Sequence, residues 1–172
     1  MIFLPIDMKY AESDNAPKKK LDKKSAHLKL QHFCAYQERS QQEVRDKLYS
    51  YGLHSAEVED VICDLIAENF INEERFAFAF ALGKFRIKHW GRIKIKQALK
   101  FKRVGDNLIK KALNQIDADE YFDTLSSLLS KKEATLKEKD EFQRKQKLIL
   151  FALSKGYEKD IILDCLNSSD LL

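Results

Sequence analysis

The sequence has little to turn with. Only five glycines and two prolines punctuate 172 residues, too few for the hairpins of a sheet protein, whereas Leu, Lys, Ala, Glu and Ile are abundant. An all-α fold is expected. Three cysteines, Cys34, Cys63 and Cys165, are odd in number, show no CxxC spacing and fall in apolar helical patterns where Cys acts as a small hydrophobe, which fits a reducing compartment rather than a disulfide framework. No stretch approaches the roughly 20 apolar residues a membrane helix requires, and the short apolar run of MIFLPIDMKY is broken by Pro5 and Asp7 without basic residues before it. A cytoplasmic protein is the expectation. There is no P-loop, GxGxxG, GxSxG, HExxH or EF-hand pattern, and the glycines are too dispersed to cradle a nucleotide. His27, His32 and Cys34 lack a fourth ligand at metal-binding spacing. Neither a nucleotide-dependent enzyme, nor a metal, nor a cofactor is therefore expected.

One further absence is local. Between Arg75 and Gly105 there is no acid, yet there are ten basic residues, while the rest of the chain carries 21 basic against 27 acidic residues. Solvated helices ordinarily interleave the two signs to gain i,i+4 pairs. An acid-free run of this length predicts a surface for a polyanion or an acidic protein groove.

The helices announce themselves by their caps. SQQE at Ser40, DADE at Asp117 and DEFQ at Asp140 fit the capping box, Asn72 precedes two acids placed in a first turn, and Gly52 and Gly156 follow helical runs where a left-handed C-cap belongs. FAFAFAL, residues 76–82, alternates like a strand, but its spacers are alanines, strong helix formers and poor strand formers. It reads as a helix apolar nearly all round, with Phe76 and Phe80 stacked one turn apart.

Overlaying the helix ends exposes a repeat. Val44, Leu48, Gly52 and Leu53 align with Ile95, Leu99, Arg103 and Val104, and again with Leu148, Ala152, Gly156 and Tyr157. Each copy has a helical pattern before it and another after it, so three tandem three-helix units are expected at 25–70, 71–117 and 118–172, behind a flexible basic arm at 1–24. Repeats of this length imply an elongated, curved array in which neighbours cover one another's faces.

Within the acid-free run, Ile95, Ala98 and Leu99 form the buried stripe of a helix, leaving Arg92, Lys96, Lys100 and Arg103 in a row on another face, with Lys84 and Lys88 one turn apart on the preceding helix and Arg86 between them. These seven cations are the candidate binding residues. Trp90 at the HWG junction reads as closing the core rather than as a stacking platform.

The segments QERSQQEVRDKLYSYGL, IAENFINEERFAFAFALGKF, WGRIKIKQALKFKRV and RKQKLILFALSKGYEKDII, taken in this order, resemble the RecX family of recombination regulators. The resemblance covers the chain from about Ser25 to Asp170. It implies a monomeric, non-enzymatic all-α protein of three three-helix repeats that binds the groove of the RecA nucleoprotein filament. It also implies inhibition of RecA's ATPase, strand-exchange and co-protease activities, a place in DNA repair and the SOS response, and contact with single-stranded and, in some members, double-stranded DNA. Two positions depart from the family pattern: Arg103 replaces the usual glycine, and Lys84 replaces an arginine, keeping charge but losing bidentate geometry. Two other readings stand beside it. A three-helix unit with a basic helix can enter a DNA major groove directly, although the cationic row offers only Gln97 for reading bases. Alternatively, the lysines of a helical scaffold are simply solvated.

Overall fold

The structure, a computed structural model, describes residues 20–138 and 140–168. Among them are nine α-helices and no strand: α1 Lys23–Tyr36, α2 Gln41–Ser50, α3 Ser55–Ala67, α4 Glu73–Lys88, α5 Arg92–Phe101, α6 Asp106–Asn114, α7 Ala118–Glu133, α8 Glu141–Lys155 and α9 Lys159–Ser168. Each helix packs chiefly within its own consecutive triplet, giving three three-helix units in tandem. None of the described helices is long and apolar enough to cross a membrane.

The caps act as the residue types dictate. Side chains of Asp22, Ser40, Asn72, Asp117 and Asp140 each accept the amide three residues on, satisfying donors that the first helical turn leaves free. The Ser40–Glu43 box closes in both directions, but at Asp117 the would-be reciprocating Glu120 turns to Arg86 instead. FAFAFAL lies inside α4, with Phe76, Ala77 and Ala81 buried and the Phe76 and Phe80 rings 5.6 Å apart.

The repeat is visible in the backbone. Gly52, Arg103 and Gly156 all have left-handed φ, +82°, +59° and +90°. After each, the next residue's amide bonds back to the carbonyl five positions earlier: Leu53 to Leu48, Val104 to Leu99 and Tyr157 to Ala152. This is the Schellman closure, which seats an apolar side chain against the helix end. Leu53, Val104 and Tyr157 are accordingly buried.

Of the expected basic arm, residues 1–19 lie outside the described residues. From Lys20 the chain is already part of unit 1: the Leu21 amide bonds Tyr51 O at 3.1 Å, Lys20 pairs with Glu57 at 3.0 Å, and Asp22 caps α1. Packing thus begins a few residues before the boundary the sequence suggests, because Asp22 is a stronger helix start than the apolar pattern alone conveys.

The apolar interior divides unequally. Unit 1 has its own core, around Leu30, Val44, Leu48, Val58, Val61 and Leu65. Units 2 and 3 share a second, continuous one, in which Phe85, Tyr121 and Tyr157 stack in series with centroids 5.7 and 4.9 Å apart. The short helix α5 is the keystone of the second core, and every candidate cation lies on it, on its ends or on α4.

Candidate polyanion and partner interface on unit 2

The N-terminus of α5 is set by main-chain contact with unit 3. The Gly91 amide donates to Lys155 O at 2.9 Å and the Ile93 amide to Gly156 O at 3.0 Å, so the positive end of α5 abuts the negative end of α8. The four last carbonyls of α8 all find donors: Ala152 and Leu153 from Tyr157 and Gly156, Ser154 from the Lys94 ammonium at 3.1 Å, and Lys155 from Gly91. A Cβ built at Gly91 would lie 2.2 Å from the Gly156 carbonyl, so the approach requires glycine. The Arg92 amide donates to the Tyr121 hydroxyl at 2.9 Å, which in turn donates to Glu158 at 2.6 Å. Burial, reinforced by the Glu158 hydrogen bond, raises the Tyr121 pKa and keeps the phenol protonated.

Fixed in this way, α5 separates the seven predicted cations rather than aligning them. On one side, a groove of about 730 Å³ runs between α4 and α5, lined by Lys84 and Lys88 from the predicted set. On the other, a hollow of about 580 Å³ between α5 and α6 collects Arg92, Lys96 and Lys100. Arg86 belongs to neither: its guanidinium grips Glu120 of α7 with two hydrogen bonds of 3.1 Å. Arg103 stands exposed at the left-handed end of α5.

Nor is the run without counter-charge in three dimensions. Acids from outside the run reach four of its ten cations: Glu38 to Arg75, Glu120 to Arg86, Glu43 to Lys102 at 2.7 Å, and Asp106, just past its end, to Lys100 at 3.1 Å. Arg92 is turned inward, with its guanidinium 4.1 Å from the Tyr121 ring centroid and bonded to Ile116 O at 3.1 Å. Among the described residues, no acid pairs with Lys88, Lys96 or Arg103. The row of four on α5 therefore reduces to Lys96 and Lys100 as outward-facing members of the hollow.

Sequence reasoning missed several neighbours. Lys94 and Lys102 lie in the acid-free run but off the chosen stripe, and both line the α4/α5 groove; Lys110, Asn107 and Asn114 come from α6 and complete the α5/α6 hollow. A helical wheel of α5 gives no sign of α6, since that juxtaposition depends on the turn at Arg103. In the α4/α5 groove the ammonium groups sit over rings: Lys84 is 5.3 Å from the Trp90 centroid and 5.2 Å from that of Phe80, and Lys94 is 5.0 Å from Trp90, within cation–π range. Trp90 is half-buried against the core, as its junction position suggests, while also forming part of the groove wall.

The three units coincide with known domains. Models of the first, second and third three-helix domains of RecX match residues 28–65, 72–113 and 119–166. The regulatory protein RecX of Clostridium perfringens is 36% identical over 132 residues, covering 76% of this chain and 59% of that protein. For the regulatory protein RecX of Clostridium tetani the identity is 33%, covering 75% of this chain and 60% of the relative. The chain thus spans about three-fifths of the length of these curated relatives. The crystal structure of RecX from Lactobacillus salivarius superposes with a TM-score of 0.79 at 24% identity, over 87% of this chain and 97% of that one, which establishes the shared fold. With three consecutive domain matches, relatives at this identity and the same arrangement of helices, the chain belongs to the RecX family of regulatory proteins.

Proposed function

We propose that the protein binds the RecA nucleoprotein filament, seated in its helical groove across neighbouring protomers, and there inhibits RecA's ATPase, strand-exchange and co-protease activities in the cytoplasm. The observation that carries this reading is the pair of lysine-lined surfaces on opposite sides of α5. A filament presents protein and nucleic acid together, and a short helix with a basic hollow on each flank can address both. Family membership supports the choice of RecA as the partner. The α5/α6 hollow, with Lys96, Lys100 and Lys110 at exposed positions, is the side suited to phosphates.

The test is RecA ATPase on single-stranded DNA titrated with the protein at two salt concentrations, for wild type and for Lys96→Glu/Lys100→Glu/Lys110→Glu. Arg92 is left untouched because it holds Ile116 and Tyr121. Inhibition is expected from wild type, weakening with salt by a log-log slope of about −0.7 per neutralised phosphate where single-stranded DNA is contacted, and is expected to be lost in the triple variant. Full inhibition by a well-folded triple variant would remove the hollow from the mechanism.

One observation favours a second reading, direct DNA recognition. Asn107 and Asn114 of α6 line the same hollow as the lysines, and amide side chains are suited to reading adenine edges. Preference for a particular duplex over RecA-coated strands would select it, whereas the proposed function requires the opposite preference.

A further inference from the structure

The α4/α5 groove has a composition that phosphate binding does not explain. Its floor is apolar, with Phe76, Phe80, Trp90 and Ala98, and two large apolar side chains project beside it, Ile87 at 73% and Phe101 at 89% exposure. Lysines rim it, and the ring faces of Trp90 and Phe80 that a stacked base would need are already covered by Lys84 and Lys94. An apolar floor between two helices receives the ridge of a third. Ammonium groups along its edge select carboxylates flanking that ridge.

We propose that this groove is the seat for an acidic amphipathic segment of the partner protein, its apolar stripe lying between α4 and α5 and its carboxylates meeting Lys84 and Lys88. The inference rests on the proposed function, and identifies the occupant as the recombinase's protein surface rather than its DNA. Gly83 gives direct access to the groove. It lines the groove from within α4, and no atom lies within 4 Å of a Cβ built there, so Gly83→Trp fills the space from a helical position where almost any residue is preferred to glycine.

The experiment sediments the protein with RecA filaments formed on oligo(dT), and in parallel treats the mixture with a zero-length carbodiimide, which joins lysine amines only to carboxylates. The Lys102–Glu43 pair, in contact in the free protein, reports that the reagent works. Expected are cross-links from Lys84 or Lys88 to RecA acids. Gly83→Trp and Lys84→Glu/Lys88→Glu, each shown by thermal melting to fold, should bind filaments at least about tenfold more weakly, and Gly83→Trp, which leaves the charge unaltered, should bind bare oligo(dT) as tightly as wild type. Filament binding undiminished by Gly83→Trp overturns the proposal, as does loss of bare oligo(dT) binding, which would make the groove a nucleic-acid seat. Cross-links from Lys84 to Asp7, Glu12 or Asp14, or to a second copy, would assign it to the chain itself and also overturn the proposal. Failure of wild type to sediment with filaments removes the proposed function, and this inference with it.

Discussion

At the joint between units 2 and 3 two main chains touch, whereas at the joint between units 1 and 2 the connection runs largely through the ends of charged side chains. The first is made by Gly91 and Ile93 amides on the Lys155 and Gly156 carbonyls, under a shared aromatic stack. The second is made by Arg75, which reaches Glu38 and both the side chain and carbonyl of Asn69, and by Lys102 on Glu43. Backbone contact and a common core respond to sterics and are nearly indifferent to salt. Partly exposed ion pairs respond to ionic strength and pH and contribute modestly. Units 2 and 3 therefore form one body, to which unit 1, with its own core, is clipped. The difference bears on function because Gln37 and Glu43 of unit 1 complete the wall of the α4/α5 groove, so loosening the clip alters the groove without disturbing α5.

The strongest way to break the comparison is at the backbone contact. Gly91→Ala places a methyl 2.2 Å from the Gly156 carbonyl, which cannot be relieved by rotating a side chain, and it should cost about 3 kcal/mol or more. Chemical denaturation should show the loss in the transition of units 2 and 3, with hydrogen exchange in α1–α3 largely preserved. Equal loss of protection in α1–α3 would mean that the two bodies are not distinct. Next in size is Tyr121→Phe, which deprives the Arg92 amide of its acceptor and Glu158 of a donor at a buried position. A cost of about 1–3 kcal/mol is expected, again confined to units 2 and 3 and unchanged between low and high salt.

The ionic joint should behave in the opposite way. Lys102→Met should cost about 1 kcal/mol or less, and the cost should shrink as salt is added. Burial pushes the Glu43 carboxyl up, but the Lys102 hydrogen bond, the Ser40 amide and the charges of Lys102 and Arg39 together outweigh it and hold the group below its ordinary value of 4.5. A lowered folded-state pKa means that the stability from Glu43 is complete above about 4.5 and is lost as pH falls through the lower folded value. Glu73, nearby on α4, runs against this: burial raises its carboxyl, partly offset by the Gln41 amide and the Arg45 charge, so acid favours the folded state through that group from its raised value down to 4.5. In Glu73→Gln the counter-slope is gone, so the protection that wild type gains at the joint between units 1 and 2 as pH falls towards 4.5 should be absent, while below 4.5, where only Glu43 titrates, the two profiles should fall in parallel. A pH profile unchanged by both Lys102→Met and Glu73→Gln would show that the clip is not ionic.

Much of this architecture could be read from the residues because it is local. Caps, helical spacing and the aligned Val44, Ile95 and Leu148 positions express rules that act within a few residues, and they place α2, α4, α5, α7 and α8 closely. FAFAFAL was decidable because alanine's preference outweighs a period-two pattern. The candidate site was legible only as a stretch of chain. That Lys84 and Lys96 face different hollows depends on which side of α5 meets α4 and which meets α6. That Arg92 turns inward depends on Tyr121, 29 positions away. Glu43 and Glu120 neutralise Lys102 and Arg86, whose sequence neighbourhood contains neither of them, since charge pairing in a folded chain follows proximity in space. The Gly91–Gly156 contact gave no signal at all, because a glycine before an arginine reads simply as a helix start.

The smallest expected effect provides a control that touches neither joint. Arg103 occupies, at φ +59°, the position where units 1 and 3 place Gly52 and Gly156. A β-carbon in this conformation crowds the following carbonyl, while glycine adopts it freely at some cost in unfolded-state entropy. Arg103→Gly should thus stabilise the protein by roughly 0.5 kcal/mol, seen as a small rise in the denaturation midpoint, with the salt response of unit 1 and the exchange pattern of α5 and α8 unchanged. The same variant separates two roles of the residue. Arg103 is exposed, with no acid pairing to it among the described residues, so a loss of the proposed RecA inhibition in a more stable protein would mean that the strained turn is retained for its guanidinium. Unaltered inhibition would mean that the cation contributes nothing to binding and that glycine, as at Gly52 and Gly156, would serve this turn equally well.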